Sequence, residues 1–197
     1  MDKRVSDFLA EARRHRQAFE RLCGSLDDRE LAQSVPRSIW TVKGYIAHLA
    51  TIDLIVQRWL ETLLEAEGSG VALHVAGAAA HTGFDVDEWN EAHVAERDDW
   101  ALDRILDEMH GNRSNLEAVA ERLTPEILDG LLYFPGDRDR APADVNVGLY
   151  LQGLAWHDPI HAVDILRALP GRVDDPELSG WLGPLARMAG SGPGGQQ

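Results

Sequence analysis

The chain has 197 residues, enough for one sizeable hydrophobic core. Its formal net charge of −14 repels phosphate backbones, which argues against nucleic acid as a partner. No apolar run approaches the roughly 20 residues of a membrane span, the N-terminal stretch lacks a signal peptide's apolar segment, and a single cysteine, Cys23, allows no internal disulfide, so a cytoplasmic protein with no membrane partner is expected.

Helical periodicity dominates the pattern from the start. Over 2–23, Val5, Phe8, Leu9, Ala12, Phe19 and Leu22 recur at helical spacing. Gly24 and Asp27-Asp28 end that run, and a short turn near 28–33 leads to Pro36. Ser38 and Thr41 are both candidate N-caps for a second long helix reaching about Glu67, with Val42, Tyr45, Ile46, Leu49, Ile52, Val56, Trp59, Leu60 and Leu63 on its apolar side. Residues 71–86 are small and Gly/Ala-rich without a period, and read as a long crossover loop of the kind that often carries function.

A short helix is expected from Asp87 to about Arg97, then a longer one over 100–123 with Leu102, Ile105, Leu106, Met109, Leu116, Val119 and Leu123. Thr124-Pro125-Glu126 is a helix-start signature. Residues 133–144 read as a loop, the last long helix as 144–169 closed by Pro170-Gly171, and a minor helix as 175–188. No strand pattern and no repeat stand out. Four long helices with one long crossover connection give an all-α four-helix bundle, a single domain over 1–189 followed by a disordered tail at 190–197.

His157 and His161 stand four residues apart in "WHDPIHAVDIL". On an α-helix that is about 400° of rotation and about 6 Å of rise, so both imidazoles share one face. This is the spacing a zinc-like ion needs from two histidines; a pair hydrogen-bonded in the core has the same spacing. Tyr150, Leu154 and Ile165 flank the face and turn it inward. His48 lies beside Tyr45, Leu49 and Ile52 on the second helix, and a buried imidazole without a partner is costly. Three inward histidines on facing helices share one ion and leave a fourth position for water or substrate.

Pro159 sits between the pair. Inside a helix it removes the bond to the Ala155 carbonyl, at about 3 kcal/mol. Asp158 as an N-cap with Pro159 at the first helical position is the alternative, a favourable start. Leu151, Leu154, Ala155, Ala162, Ile165 and Leu169 keep one apolar phase across the proline, so one continuous helix kinked near Ala155–Pro159 is expected.

Three stretches then carry a family resemblance. "WTVKGYIAHLA" (40–50) resembles the first signature of the DinB-like superfamily, and "WHDPIHAVDILRAL" (156–169) its second. "FDVDEWNEAHVAERDDW" (84–100) is similar to the stretch after the crossover in actinobacterial members, including relatives of mycothiol-dependent maleylpyruvate isomerase. The resemblance implies an up-down-down-up bundle, often a homodimer, with zinc or nickel on His48, His157 and His161. It implies a small-molecule substrate and a low-molecular-weight thiol, mycothiol or bacillithiol, as co-substrate of an S-transferase or isomerase. Maleylpyruvate isomerases are expected to carry Glu where this chain has His157, which moves it toward the bacillithiol-transferase and general DinB-like branch.

Other side chains are weighed against plainer roles. Asp53 and Asp164 are candidates to orient a ligand imidazole from behind; either is otherwise ion-paired or solvated. His81, in the crossover, is a candidate to reach the open metal position. Asn90 and Trp89 match the family's middle stretch and are candidates to line the pocket, with a core position as the equal alternative for Trp89. Arg138 and Arg140 are candidates to grip a carboxylate-bearing thiol, with solvated loop charges as the alternative. His15, His74, His93 and His110 read as exposed, and Cys23 as packing. The expected function is metal-dependent thiol S-transfer. A hydrolase or isomerase of the same fold, a non-catalytic metal-stabilised binding module, and a metal-free bundle are the rival readings. A fourth protein ligand would close the site and favour binding over turnover.

Overall fold

The computed structural model describes residues 1–72 and 83–185. Most of the crossover loop, with His74 and His81, and the C-terminal tail lie outside the described residues. Helix α1 is Lys3–Gly24, capped by Asp2, and α2 is Asp28–Leu31, closed by an Asp27/Glu30 capping box. The long α3, Val42–Ser69, starts at Thr41, whose hydroxyl accepts from the Gly44 N–H at 3.1 Å, and ends at Gly70 with φ +73°. Ser38 caps no helix; its hydroxyl accepts from the Trp40 N–H. Next come α4, Val86–Ala95, α5, Leu102–Ala120, and α6, Pro125–Asp129, capped by Thr124.

Where a plain loop is expected at 133–144, the chain forms a hairpin. Strand β1, Leu131–Phe134, pairs antiparallel with β2, Ala143–Asn146, in the register Leu131↔Asn146 to Phe134↔Ala143. The strands are four residues each, and β2 carries Asp144 and Asn146, which are poor strand formers. The signal that marks the hairpin lies in its turn. Asp137 accepts from the Asp139 and Arg140 N–H groups, and Gly136 holds φ +88°, where a Cβ would meet the Arg140 carbonyl oxygen at 2.9 Å.

The expected continuous helix over 144–169 is corrected in two ways. It starts later, because 143–146 belongs to β2, and it is split into α7, Val147–Ala155, and α8, His157–Ala168. Trp156, at φ −94° and ψ 4°, is the single junction residue; its N–H donates to Gly153 at 3.0 Å, a tightened turn. Pro159 is then the third residue of α8, where an N–H has no helical partner in any case. A one-residue junction also explains why the apolar phase survives across the break. Pro170–Arg172 forms a 3₁₀ turn, followed by α9, Pro176–Leu182, and a second 3₁₀ turn, Gly183–Leu185.

One continuous apolar core joins these elements. α3 lies along α5, α1 along α7 and α8, and α3 meets α8. Phe19, Ile46, Leu49, Leu60, Ile105, Met109, Leu116, Leu151 and Ile165 are fully buried between them. Each such side chain contributes about 1.5–3 kcal/mol on burial. No helix of the described residues is long and apolar enough to cross a membrane.

Asn146 fastens the hairpin to α7. Its Oδ1 accepts from the Leu149 N–H at 3.0 Å, capping the helix, and its Nδ2 donates to the carbonyls of Leu128 and Gly130 at 3.1 and 3.3 Å. Asn146→Ala is expected to cost about 1–2 kcal/mol, read as a lowered urea midpoint with an unchanged slope. An unchanged midpoint would contradict this account of the junction.

Candidate metal centre

Two helices bring three imidazoles together. His48 projects from the second turn of α3, and His157 and His161 from the first two turns of α8. One ring nitrogen from each lies within 4.8 Å of the others. His157 Nε2 and His161 Nε2 face each other at 3.1 Å. The ring centroids of His48 stand 5.3 and 5.1 Å from those of His157 and His161. Trp40 stacks on His48 at 5.1 Å, and Tyr45 packs against His161 at 5.2 Å, so aromatic faces fix two of the rings.

The hydrogen bonds favour lone pairs pointing into this space. His161 Nδ1 meets Asp164 Oδ2 at 3.0 Å; the carboxylate accepts from Nδ1–H, a tautomer that leaves Nε2 as an acceptor. Arg167 in turn holds Asp164. His48 Nδ1 and His157 Nδ1 are buried with no hydrogen-bond partner among the described residues. The protein alone leaves these two buried nitrogens unsatisfied, which marks the cluster as more than ordinary core.

Burial pushes His48 down to about 3, helped by the field of His161 and opposed by contact with the Asn90 amide. His157 falls well below the usual range, first through burial, then through the neighbouring His161, His48, Arg16 and Arg113. Both rings are therefore neutral at pH 7, the form that ligates metals.

The other candidates sort differently. Asn90, on α4, is buried beside His48 and lines the adjoining cavity; Trp89 instead packs on the core edge and stacks on His93 at 3.9 Å. Asp53 touches no histidine. Its carboxylate takes both prongs of Arg113, at 2.7 and 3.2 Å, and an N–H of Arg16 at 3.3 Å. Neither Asp53 nor Asp164 is free to be a fourth ligand. Arg138 is paired with Glu91 at 2.8 Å and Arg140 with Asp137, and both exposed guanidiniums line the cavity beside the histidines. His110 is exposed, but His15 is 1% exposed, correcting the surface reading: its Nδ1 accepts from Trp181 Nε1 at 2.8 Å and its ring rests on Trp156. Cys23 is buried, and burial raises its thiol, as suits packing.

Four buried charges escape a reading by motif. Arg16, Asp53, Arg113 and Asp158 are each at most 5% exposed. The signal is their phase: Arg16 falls between Ala12 and Phe19, Arg113 between Met109 and Leu116, and Asp158 between Leu154 and Ala162, all on buried stripes. A charge in phase with the core needs a partner there.

Beside the histidines opens a cavity of about 680 Å³. Its floor holds His48, His157, His161 and Asn90, its walls Ile52, Trp59, Phe134 and Tyr150, and its rim Arg37, Asp87, Glu91 and the hairpin loop. Burial raises the Tyr150 phenol, which keeps it protonated against that wall.

An all-α protein with three imidazoles converging from two helices on the floor of a large cavity defines a class, helical proteins with a candidate metal centre. The chain belongs to the DinB superfamily, whose family model matches residues 11–165. Among solved structures it is similar to the mycothiol-dependent maleylpyruvate isomerase, at 17% identity and a TM-score of 0.57, covering 88% of this chain and 72% of that one. A histidine-to-alanine mutant of that enzyme is similar at 16% identity and a TM-score of 0.55, with the same coverage. At this identity the likeness shows the fold. No curated protein matches the chain.

The depressed histidines make a pH prediction for the metal-free protein. The unfolded chain takes up these protons near pH 6.5, whereas folded His48 does so only near 3. Its contribution to stability is complete above about 6.5 and is lost as pH falls toward 3. The ring C–H resonances of His48 are expected to stay unshifted between pH 8 and 5 in a proton NMR titration. A His48 titration midpoint near 6.5 would contradict the buried, neutral ring.

Proposed function

We propose that the chain is a thiol-dependent enzyme in which His48, His157 and His161 hold one divalent cation, zinc or nickel. A low-molecular-weight thiol such as mycothiol or bacillithiol is transferred to an electrophilic small molecule. The observation that carries the reading is the convergence of three imidazoles, one held in orientation by Asp164, on the floor of an open cavity. The name of the similar solved enzyme, a mycothiol-dependent isomerase, supports the thiol. Histidine in place of the Glu expected at position 157 in those isomerases favours S-transfer over isomerisation.

When bound, the cation supplies a lowered pKa to a thiol beside it. The chain's own residues do the rest. Asp164 fixes the His161 ring, and Trp40 and Tyr45 hold the imidazole planes. Asn90 offers an amide beside His48, and Trp59, Phe134 and Tyr150 give an apolar wall for the body of a substrate. In transfer, the thiol gives its proton to solvent in the cavity, a sulfur–carbon bond forms, and the leaving group departs with the carbon's former bonding pair and is protonated from solvent. The Tyr150 phenol, kept protonated, is the donor on that wall.

His161→Ala is expected to lose the metal and thiol consumption together, because two imidazoles hold zinc weakly. Far-ultraviolet circular dichroism should be unchanged, since a core of this size does not rest on one ion. The assay is metal content of protein purified without an affinity tag, with consumption of mycothiol, bacillithiol or glutathione against a generic electrophile. A variant that keeps full transfer without bound metal overturns the mechanism. Wild-type protein that binds metal but consumes no thiol would point to a binding module instead.

A further inference from the structure

Arg16 is on α1, away from the cavity lining, and is 3% exposed. Its Nε and Nη2 donate to Asp158 Oδ2 and Oδ1 at 2.9 and 3.0 Å. Asp158 is the residue after His157. Nη1 and Nη2 of the same guanidinium reach the carbonyl oxygen of Leu49 at 3.4 and 3.5 Å. Leu49 is the residue after His48. One planar fork therefore touches the chain next to two of the three imidazoles, on two different helices.

The circuit then closes. Arg16 Nη2 also donates to Asp53 Oδ2 at 3.3 Å, and Asp53 receives both prongs of Arg113 from α5. Arg113 lies 3.8 Å from Asp158. Two cations and two anions balance, so the group is coherent without solvent. α8 has need of such a fixture: it starts after a one-residue break, and its N-cap, Trp156, makes no side-chain capping bond. Packing of Trp156 on His15 holds the residue before His157, and the Arg16–Asp158 fork holds the residue after it.

We propose that Arg16 is a positioning residue, whose guanidinium fixes the spacing of α3 and α8 at His48 and His157 and so sets the metal affinity of the three-histidine cluster. The inference rests on the metal reading above. A metal site tolerates about 0.2 Å in ligand distance, so a small change in helix spacing is felt there before it is felt in the core. Lysine in place of Arg16 keeps the charge and loses the fork, because an ammonium is a single point that cannot bridge Asp158 and the Leu49 carbonyl together.

The experiment compares wild type, Arg16→Lys, Asp158→Asn and a remote core control, Leu182→Ala. Apparent Co(II) affinity is read from the visible ligand-field band, and the melting temperature of the metal-free protein is read alongside. Arg16→Lys and Asp158→Asn are expected to bind Co(II) about 10–100-fold more weakly, the scale of a lost orienting partner, with a shifted band. Leu182→Ala should melt earlier and keep wild-type affinity. If Asp158→Asn does not fold, Arg16→Lys, which leaves no buried charge unpaired, decides alone. Wild-type affinity and band shape in Arg16→Lys overturn the proposal, since Arg16 is then structural only. If wild type binds none of Co(II), Zn(II) or Ni(II), the metal reading fails by itself. The positioning claim is then judged on the His48, His157 and His161 ring separations in crystals of Arg16→Lys, and separations equal to wild type overturn it.

Discussion

The arrangement depends on a buried circuit of four charges. Arg16, Asp53, Arg113 and Asp158 come from α1, α3, α5 and α8, and each is held by at least one two-pronged ion pair. Hydrophobic burial draws these helices together but fixes neither their rotation nor their slide, because apolar contacts have no direction. The circuit does. Removing one member strands an opposite charge in the core, at about 3–5 kcal/mol. The histidines sit one, three or five residues from its members, so the geometry of the candidate centre follows from it.

The junction at Trp156 is the second element of this design. A straight helix would carry His157 and His161 on the same cylinder as Leu151 and Leu154. The tightened turn ends α7 and starts α8 at the residue before His157, with Pro159 in a position that loses no hydrogen bond. The same junction places Trp156 against buried His15, which Trp181 holds from the other side. The junction is thus packed as well as pinned.

Much of this was legible in the residues. His48, His157 and His161 stood out because spacing and apolar phase are read along a single helix, and all three lie on inward stripes. Asp164 was legible for the same reason, three residues from His161 on one face. Asp53 was noticed, but its partner was misjudged, since Arg113 lies sixty residues away and nothing local points to it. Arg16 was hidden among Arg13 and Arg14, which look alike in sequence; only its phase with Ala12 and Phe19 separates a buried arginine from two exposed ones. The hairpin at 131–146 was missed because its strands are short and polar, and its order comes from the Gly136–Asp137 turn and from Asn146 fastening it to α7.

The central claim is that three imidazoles from α3 and α8 are one ligand set. Crystals grown with zinc or nickel, measured on both sides of the metal's absorption edge, test it most directly. The account predicts one anomalous peak per chain, about 2.1 Å from one nitrogen each of His48, His157 and His161, with the remaining side of the ion facing the cavity. A peak elsewhere, or none at full metal saturation with the three rings hydrogen-bonded to one another, would contradict it.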